Sequence, residues 1–182
     1  KLRYKGFRAK IEKSLKLAGL DEKGKVKVLD IGCGDGHLLN LYRDAHADKV
    51  ETHGVDFNLE AVVLASAAGH LTYNGRFEDA KVGDSQFDLV VASHVIEHVS
   101  DPVYFAEKVF QVLKPGGVFW FETPNIGSVD AKWFKNGHWG GYHFPRHWYF
   151  FTPVTIKLLA EKTRFTQESI DYVPNAIFWF WT

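Results

Sequence analysis

At 182 residues the chain is long enough for one domain with a sizeable core, and its composition, 46% hydrophobic and 24% charged, is that of an ordinary globular protein. Its 22 basic and 22 acidic residues cancel to a net charge of +0, which removes the electrostatic case for a nucleic-acid partner. Cys33 is the single cysteine, so no internal disulfide forms; there is no signal peptide and no apolar run of about 18 residues, and a cytoplasmic protein is expected.

Residues 1–24 read as an N-terminal helix with a basic face. Tyr4, Phe7, Ile11, Leu15 and Ala18 recur at three- and four-residue spacing and make one apolar stripe, and Gly19 is a stop. A packing helix is expected; the alternative is a flap over a ligand. Residues 26–31 are strand one, and residues 36–46 the first helix. Between them lies Asp30-Ile31-Gly32-Cys33-Gly34-Asp35-Gly36, the strand–tight turn–helix opening of a nucleotide-binding unit. The glycines permit positive φ and leave bare backbone for a ligand.

The acid in that turn selects the ligand. A dinucleotide brings a pyrophosphate to the helix N-terminus. Asp30 would hold a carboxylate close to it, which is unfavourable, and the glycines are spaced G-x-G-x-G rather than G-x-G-x-x-G. A ligand with an amino-acid head and no phosphate fits better, and S-adenosylmethionine is such a ligand. Val28-Leu29-Asp30-Ile31-Gly32-Cys33-Gly34-Asp35-Gly36 resembles the first motif of the class I S-adenosylmethionine-dependent methyltransferases, V-L-D-x-G-C-G-x-G. The resemblance implies Asp30, Gly32, Cys33 and Gly34 at the cofactor. Cys33 suits the turn as a small residue rather than as a nucleophile.

Strand two is expected over 50–56. Asp56 lies about twenty residues past the glycine turn, where an acid accepts from ribose hydroxyls; Asn58 is free to cap the helix at 58–68 in its place. Phe57 is expected against the adenine face. After a short strand near 71–73, the loop Asn74-Gly75-Arg76-Phe77-Glu78-Asp79 offers Glu78 to the adenine amine and Phe77 to its ring, although a solvated turn reads equally well.

Phe87-Asp88-Leu89-Val90-Val91-Ala92-Ser93 is strand four, apolar enough to be buried on both faces. It leads into His94-Val95-Ile96-Glu97-His98-Val99. Ser93 and His94 are expected to face the crevice at the strand's C-terminal end. This string resembles the fourth motif of a group that includes the ubiquinone-pathway O-methyltransferases. Some of those relatives carry an acid where His94 stands, followed by the same Glu-His pair, and the cluster is associated with magnesium. On a helical turn His94, Glu97 and His98 share a face. Magnesium prefers oxygen ligands, so no metal is expected here, and Glu97 with His98 is read as a buried hydrogen-bonded pair.

Asp101-Pro102 opens a helix through Leu113. Lys114-Pro115-Gly116-Gly117 is a sharp turn into strand five, 118–122. Residues 126–151 crowd Trp133, Phe134, His138, Trp139, Tyr142, His143, Phe144, His147, Trp148, Tyr149, Phe150 and Phe151 into one loop, a lid or an acceptor pocket. Pro145-Arg146-His147 resembles an element of many such methyltransferases. His143 is the preferred general base, and His147 is read as an ordering contact. Thr152-Pro153 caps a helix, and 167–173 should be strand six.

The whole is expected to be a single domain of 1–182: an N-terminal helix (1–24), a cofactor-binding core (26–123), an aromatic lid (124–151), and a C-terminal helix and edge strand (152–182). The resemblance implies a Rossmann-like, doubly wound α/β fold with a mostly parallel sheet of the seven-stranded type. The last strand begins at 178–181 or lies beyond the chain. No methionine occurs, and the sequence stops inside the apolar run Ile177-Phe178-Trp179-Phe180-Trp181, so the natural protein is expected to continue. The expected reaction is methyl transfer from S-adenosylmethionine to a small molecule, with oxygen the favoured acceptor. No N/D-P-P-Y or P-C signature of a nucleic-acid base methylase follows strand four. The rivals are a protein that binds the cofactor without turnover and an NAD-dependent oxidoreductase.

Overall fold

The structure, a computed structural model, describes residues 2–134 and 139–172, with side chains from residue 8 onward. The side chains of Tyr4 and Phe7, together with His138, Val173 and the run 177–181, lie outside the described residues. The chain forms two compact units, Lys1–Ser93 with Gln111–Phe121 and His94–Phe110 with Glu122–Thr182.

The first unit is built on a five-stranded sheet. Its elements are α1 (Leu2–Leu17), α2 (Leu20–Lys23), β1 (Val26–Ile31), α3 (His37–Ala45), β2 (Val50–Asp56), α4 (Leu59–Ala67), β3 (Leu71–Asn74), β4 (Phe87–Ser93) and β5 (Leu113–Glu122). The strand order is β3-β2-β1-β4-β5, and β1 pairs parallel with β2 and β4, as β2 does with β3. The order reverses at β1, the place where open α/β sheets bind ligands at their C-terminal edge. Asp30 lies there, opposite Gly54 on one side and Val91 on the other.

Burial explains these elements. Every residue of β4 before Ser93 is buried, as its unbroken apolar run requires. Asp88 is the exception in chemistry: it is buried, but Lys114 (2.7 Å) and Lys23 (3.1 Å) pair with it and the Lys27 N–H donates to it (3.0 Å). Ile11, Leu15 and Ala18 of the N-terminal stripe are buried in one cluster with Val26, Val28, Tyr42, Val50, Leu89 and Val91. Ser14 and Tyr42 share a 2.8 Å hydrogen bond between their hydroxyls. This is the packing helix expected from the sequence. The helix stops where expected: α1 ends at Leu17 and Gly19 takes φ +85°, and α2 follows as a separate turn.

The second unit holds α5 (Pro102–Val112, whose Gln111 and Val112 are assigned to the first unit), α6 (Val129–Trp133), a 3-10 helix (Gly140–Tyr142) and α7 (Pro153–Lys162). Asp101 caps α5 by accepting from the N–H groups of Val103 (2.9 Å) and Tyr104 (3.1 Å), and Thr152 with Thr155 forms a capping box on α7. The ends of the 126–151 excursion are tied by a bridge between Asn125 and Phe151, in which the Ile126 N–H donates to the Phe151 carbonyl at 3.0 Å.

Two expectations are corrected. Lys114-Pro115-Gly116-Gly117 falls inside β5 rather than before it, although Gly116 keeps the turn-like φ of +74°. Residues 167–172 form no strand: Tyr172 is 70% exposed, so the segment lacks the buried face that would select one register. Among the described residues no helix is long and apolar enough to cross a membrane.

Candidate cofactor site

The glycine turn hangs on β2. The N–H groups of Gly32 (2.8 Å) and Cys33 (3.2 Å) both donate to the carbonyl of Val55, the β2 residue of the last β1–β2 pair. Gly34 has φ +53°, a region disfavoured for side chains, and a Cβ there would meet nothing within 4 Å. Its outer face is therefore bare backbone beside open space. Gly36 is glycine for a second reason: a Cβ would lie 2.9 Å from the His70 ring. Cys33 is buried, and its Sγ would lie 2.5 Å from a Cβ on Gly54, so the thiol packs into the strand next door. Burial, with the charges of Asp30 and Asp56, pushes that thiol up to about 12, which leaves no thiolate at neutral pH.

Two acids meet this turn. Asp56 Oδ2 accepts from the Gly34 N–H at 2.9 Å, and its Oδ1 accepts from the Asn58 N–H at 2.8 Å. Asn58 caps α4, as the sequence suggested, accepting from Glu60 (3.0 Å) and Ala61 (3.3 Å). Asp56 is thus a brace for the loop as well as a ribose candidate. A carboxylate has about four acceptor sites, so two stay open. Asp30 is buried, and burial first, then the charge of Asp56, raises its carboxyl from 3.8 to about 8. The charge of an arriving cation would oppose both effects.

Phe57 projects from the end of β2 and is 79% exposed, available to a flat ring. Phe77 is 5% exposed and belongs to the core, while Glu78 is partly buried, 3.9 Å from Arg76. Ser93 is exposed at the end of β4. Asn74 was missed from sequence: its side-chain N–H groups donate to the carbonyls of Asp56 (3.2 Å) and Phe57 (3.3 Å), fixing the β2 terminus. The Asn-Gly pair marked a turn but nothing in it named that partner.

In the second unit the segment after β4 is a turn, not a helix, and the expected His94/Glu97/His98 face is divided. His94 adopts φ +55°, and its Nδ1 lies 3.2 Å from Glu97 Oε1. The hydrogen-bonded pair is therefore Glu97 with His94 rather than with His98. Burial opposes ionisation of Glu97, but the His94 hydrogen bond and the backbone outweigh it and hold the carboxyl below its usual range. His98 instead directs Nδ1 to the Arg146 carbonyl (2.8 Å), and His147, buried, directs Nδ1 to the Gly141 carbonyl (2.7 Å). Burial lowers the His147 pKa. The N–H groups of Trp148 (2.9 Å) and Tyr149 (3.2 Å) donate to the Glu97 carbonyl, and the Tyr149 hydroxyl to that of Ser100 (2.9 Å). His143 is exposed, and its ring meets that of His147 edge-on at 5.1 Å.

A family model described as a methyltransferase domain matches residues 2–170. A ubiquinone biosynthesis O-methyltransferase of Cereibacter sphaeroides is 29% identical over 171 residues, a match covering 86% of this chain and 67% of the relative. A protein of the same description from Bradyrhizobium sp. is 31% identical, with 85% and 65% covered. The chain spans about two thirds of the length of these curated relatives. A putative methyltransferase from Bacillus halodurans has a related fold, with a TM-score of 0.63 at 22% identity over 85% of this chain and 68% of that one. The family match runs from residue 2 to residue 170 and spans the candidate residues described above: this chain belongs to the methyltransferase domain family, in the class I fold that uses S-adenosylmethionine.

Proposed function

We propose that the protein transfers a methyl group from S-adenosylmethionine to an oxygen nucleophile on a small-molecule acceptor. The observation that carries the reading is the bare face of Gly34, braced by Asp56 and set in a turn with the buried acid Asp30. Such a site suits a ligand that is cationic and free of phosphate. The cofactor, when bound, supplies an electrophilic methyl group on a positively charged sulfur and leaves as a neutral thioether.

The chain's own residues position and neutralise. Asp56 accepts from the ribose hydroxyls through its open lone pairs, and Phe57 covers the adenine. Glu78 accepts from the adenine amine, while Phe77 supports that loop from the core. Gly32, Cys33 and Gly34 shape the backbone, and Asp30 balances the ligand's positive charge. Ser93 and His94 are assigned to the cofactor end of β4. His143 takes the proton that the acceptor hydroxyl loses as its oxygen bonds to the methyl carbon. Positioning of this kind supplies most of the rate in a displacement whose electrophile is already built. The oxygen acceptor is favoured by the named activity of the curated relatives and by Ser93-His94-Val95-Ile96 standing where base methylases carry their own signature.

The test is mass spectrometry with trideuteromethyl-labelled cofactor and a panel of phenols, catechols and amines. Label on a hydroxyl acceptor is expected, and His143→Ala should slow it about a hundred- to ten-thousand-fold at unchanged cofactor affinity. Label on amines alone would overturn the oxygen assignment, and cofactor binding with no transfer to any acceptor would favour a binding protein.

A further inference from the structure

Beneath the glycine turn lies a buried histidine, His70, the residue before β3. A methyl group on Gly36 would stand 2.9 Å from Cδ2 of its ring and 3.2 Å from the Ala65 Cβ, so the end of the turn is in contact with the imidazole. The ring is held at both nitrogens. Nε2 lies 3.1 Å from Asn40 Oδ1 on α3, and Nδ1 lies 2.7 Å from the hydroxyl of Thr52, itself buried on β2. Asn40 also makes the first backbone bond of α3, its N–H donating to the Gly36 carbonyl at 2.9 Å. His70 therefore joins the first turn of α3 to β2 and β3, with Gly36 at the junction.

The partners fix where the protons are. The Arg43 guanidinium can only donate, and it donates to Asn40, so the Asn40 atom facing both Arg43 and His70 is the carbonyl oxygen. An oxygen there requires the hydrogen of the ring on Nε2. In the neutral ring Nδ1 then has the lone pair and accepts from the Thr52 hydroxyl. A second proton, on Nδ1, would reverse the Thr52 bond and bury a charge. Burial and then the Arg43 charge hold the His70 pKa below its ordinary 6.5, with Asp44 opposing them. Those two charges come from α3. β2 presents Thr52 and α4 Ala65, both neutral; in the turn Asp35 and His37 are exposed, the Asp35 carboxylate accepting from the His37 N–H at 3.2 Å.

We infer that His70 is a positioning residue for methyl transfer: its neutral ring holds the Gly34–Gly36 turn in the shape that receives the cofactor, and acid loosens that shape. Asp56 braces Gly34 from the end of β2 by a 2.9 Å bond and His70 supports Gly36 from below, so the turn is fixed at both ends. Histidine suits the place because one flat ring donates to α3, accepts from β2 and lies against Gly36. The role rests on the reading of this turn as the cofactor site. A histidine whose folded-state pKa lies below 6.5 stabilises fully above 6.5, and that stability is lost as the pH falls through the folded pKa. Affinity for the cofactor should fall in the same direction, with the fraction of neutral ring.

The test is calorimetric titration with S-adenosylhomocysteine, whose neutral sulfur lessens the part played by Asp30, at about pH 7.5 and about pH 5, with melting temperatures alongside. His70→Phe keeps a flat ring and removes both hydrogen bonds, and should weaken binding about tenfold or more at the higher pH. His70→Gln keeps a donor and an acceptor that do not titrate, and should restore most of the affinity. Asp30 and Asp56 titrate in both proteins, so the deciding quantity is the ratio of wild-type to His70→Gln affinity, which should fall about threefold or more from the higher pH to the lower. Thr52→Val keeps the volume of Thr52 without its hydroxyl and should also weaken binding at the higher pH; it decides the matter if His70→Phe does not fold. A ratio that does not move with pH, or variants that lose melting temperature yet bind as the wild type does, would reduce His70 to a structural residue and overturn the inference. No heat from the wild type would overturn the cofactor reading itself, and this role with it.

Discussion

Asp30 works against the stability of the empty protein. Its carboxyl ordinarily ionises near 3.8 and in the fold near 8, because burial and the neighbouring charge of Asp56 both disfavour the anion. The folded-state pKa is the higher one. Stability is therefore fully present below 3.8 and is lost as the pH rises through 8. Asp30→Asn removes that loss. Without cofactor, the variant should melt above the wild type at pH 8 and together with it at about pH 4. The same variant should bind S-adenosylmethionine more weakly. A variant that melts below the wild type at pH 8 would show the carboxylate to be held by a partner rather than strained. Asp30 and Asp56 could be singled out in the sequence as candidates by their distance from the glycine turn. That Asp56 braces the Gly34 N–H could not be read there, since it depends on a hydrogen bond 22 residues away along the chain. The burial of Phe77 was equally invisible: an aromatic in a loop reads the same whether it packs inward or covers a ligand.

Among the elements, α1 and β4 carry their reasons in their own residues. The spacing nominates Ile11, Leu15 and, just past the end of α1, Ala18, and all three are buried, with Ser14 beside them. Leu15 is completely buried, so Leu15→Ala should cost about 2–5 kcal/mol in urea unfolding followed by circular dichroism. A loss under about 0.5 kcal/mol would mean that α1 is peripheral to the cooperative unit. The caps at Asn58, Asp101 and Thr152 were equally readable, because capping is a local contest for a few N–H groups. Strand five and the expected sixth strand were less so. A strand exists by virtue of its neighbour, and 167–172 has apolar alternation but no buried face. The turn after β4 failed as a helix for a related reason. His94 takes a positive φ, which ends regular structure where the i, i+3, i+4 spacing alone predicted a continuous face.

At the scale of the molecule, a doubly wound, mostly parallel sheet was readable from the glycine turn after the first strand and the buried run of the fourth, but the order β3-β2-β1-β4-β5 was not, because it is set by pairing between strands distant in the chain. The second unit was foreseeable only as a crowd of aromatics. Its organisation comes from backbone carbonyls at Glu97, Ser100 and Arg146, each bonded to a side chain or an N–H far from it in sequence, and from that of Gly141, bonded to the His147 ring within the same loop. Carbonyls are common to every residue, so a sequence gives no sign of which ones matter.

The central claim is that the glycine turn with Asp56 and Phe57 is a cofactor site, and calorimetric titration tests it most directly. S-adenosylmethionine and S-adenosylhomocysteine should each saturate the wild type at one equivalent. Asp56→Ala should weaken both by about tenfold or more, the cost of at least one charge-assisted hydrogen bond. Phe57→Ala, which removes an exposed ring and no core contact, should weaken both while leaving the melting temperature of the empty protein unchanged. No heat from the wild type, or equal affinity in all three proteins, would contradict the placement of the cofactor at this turn.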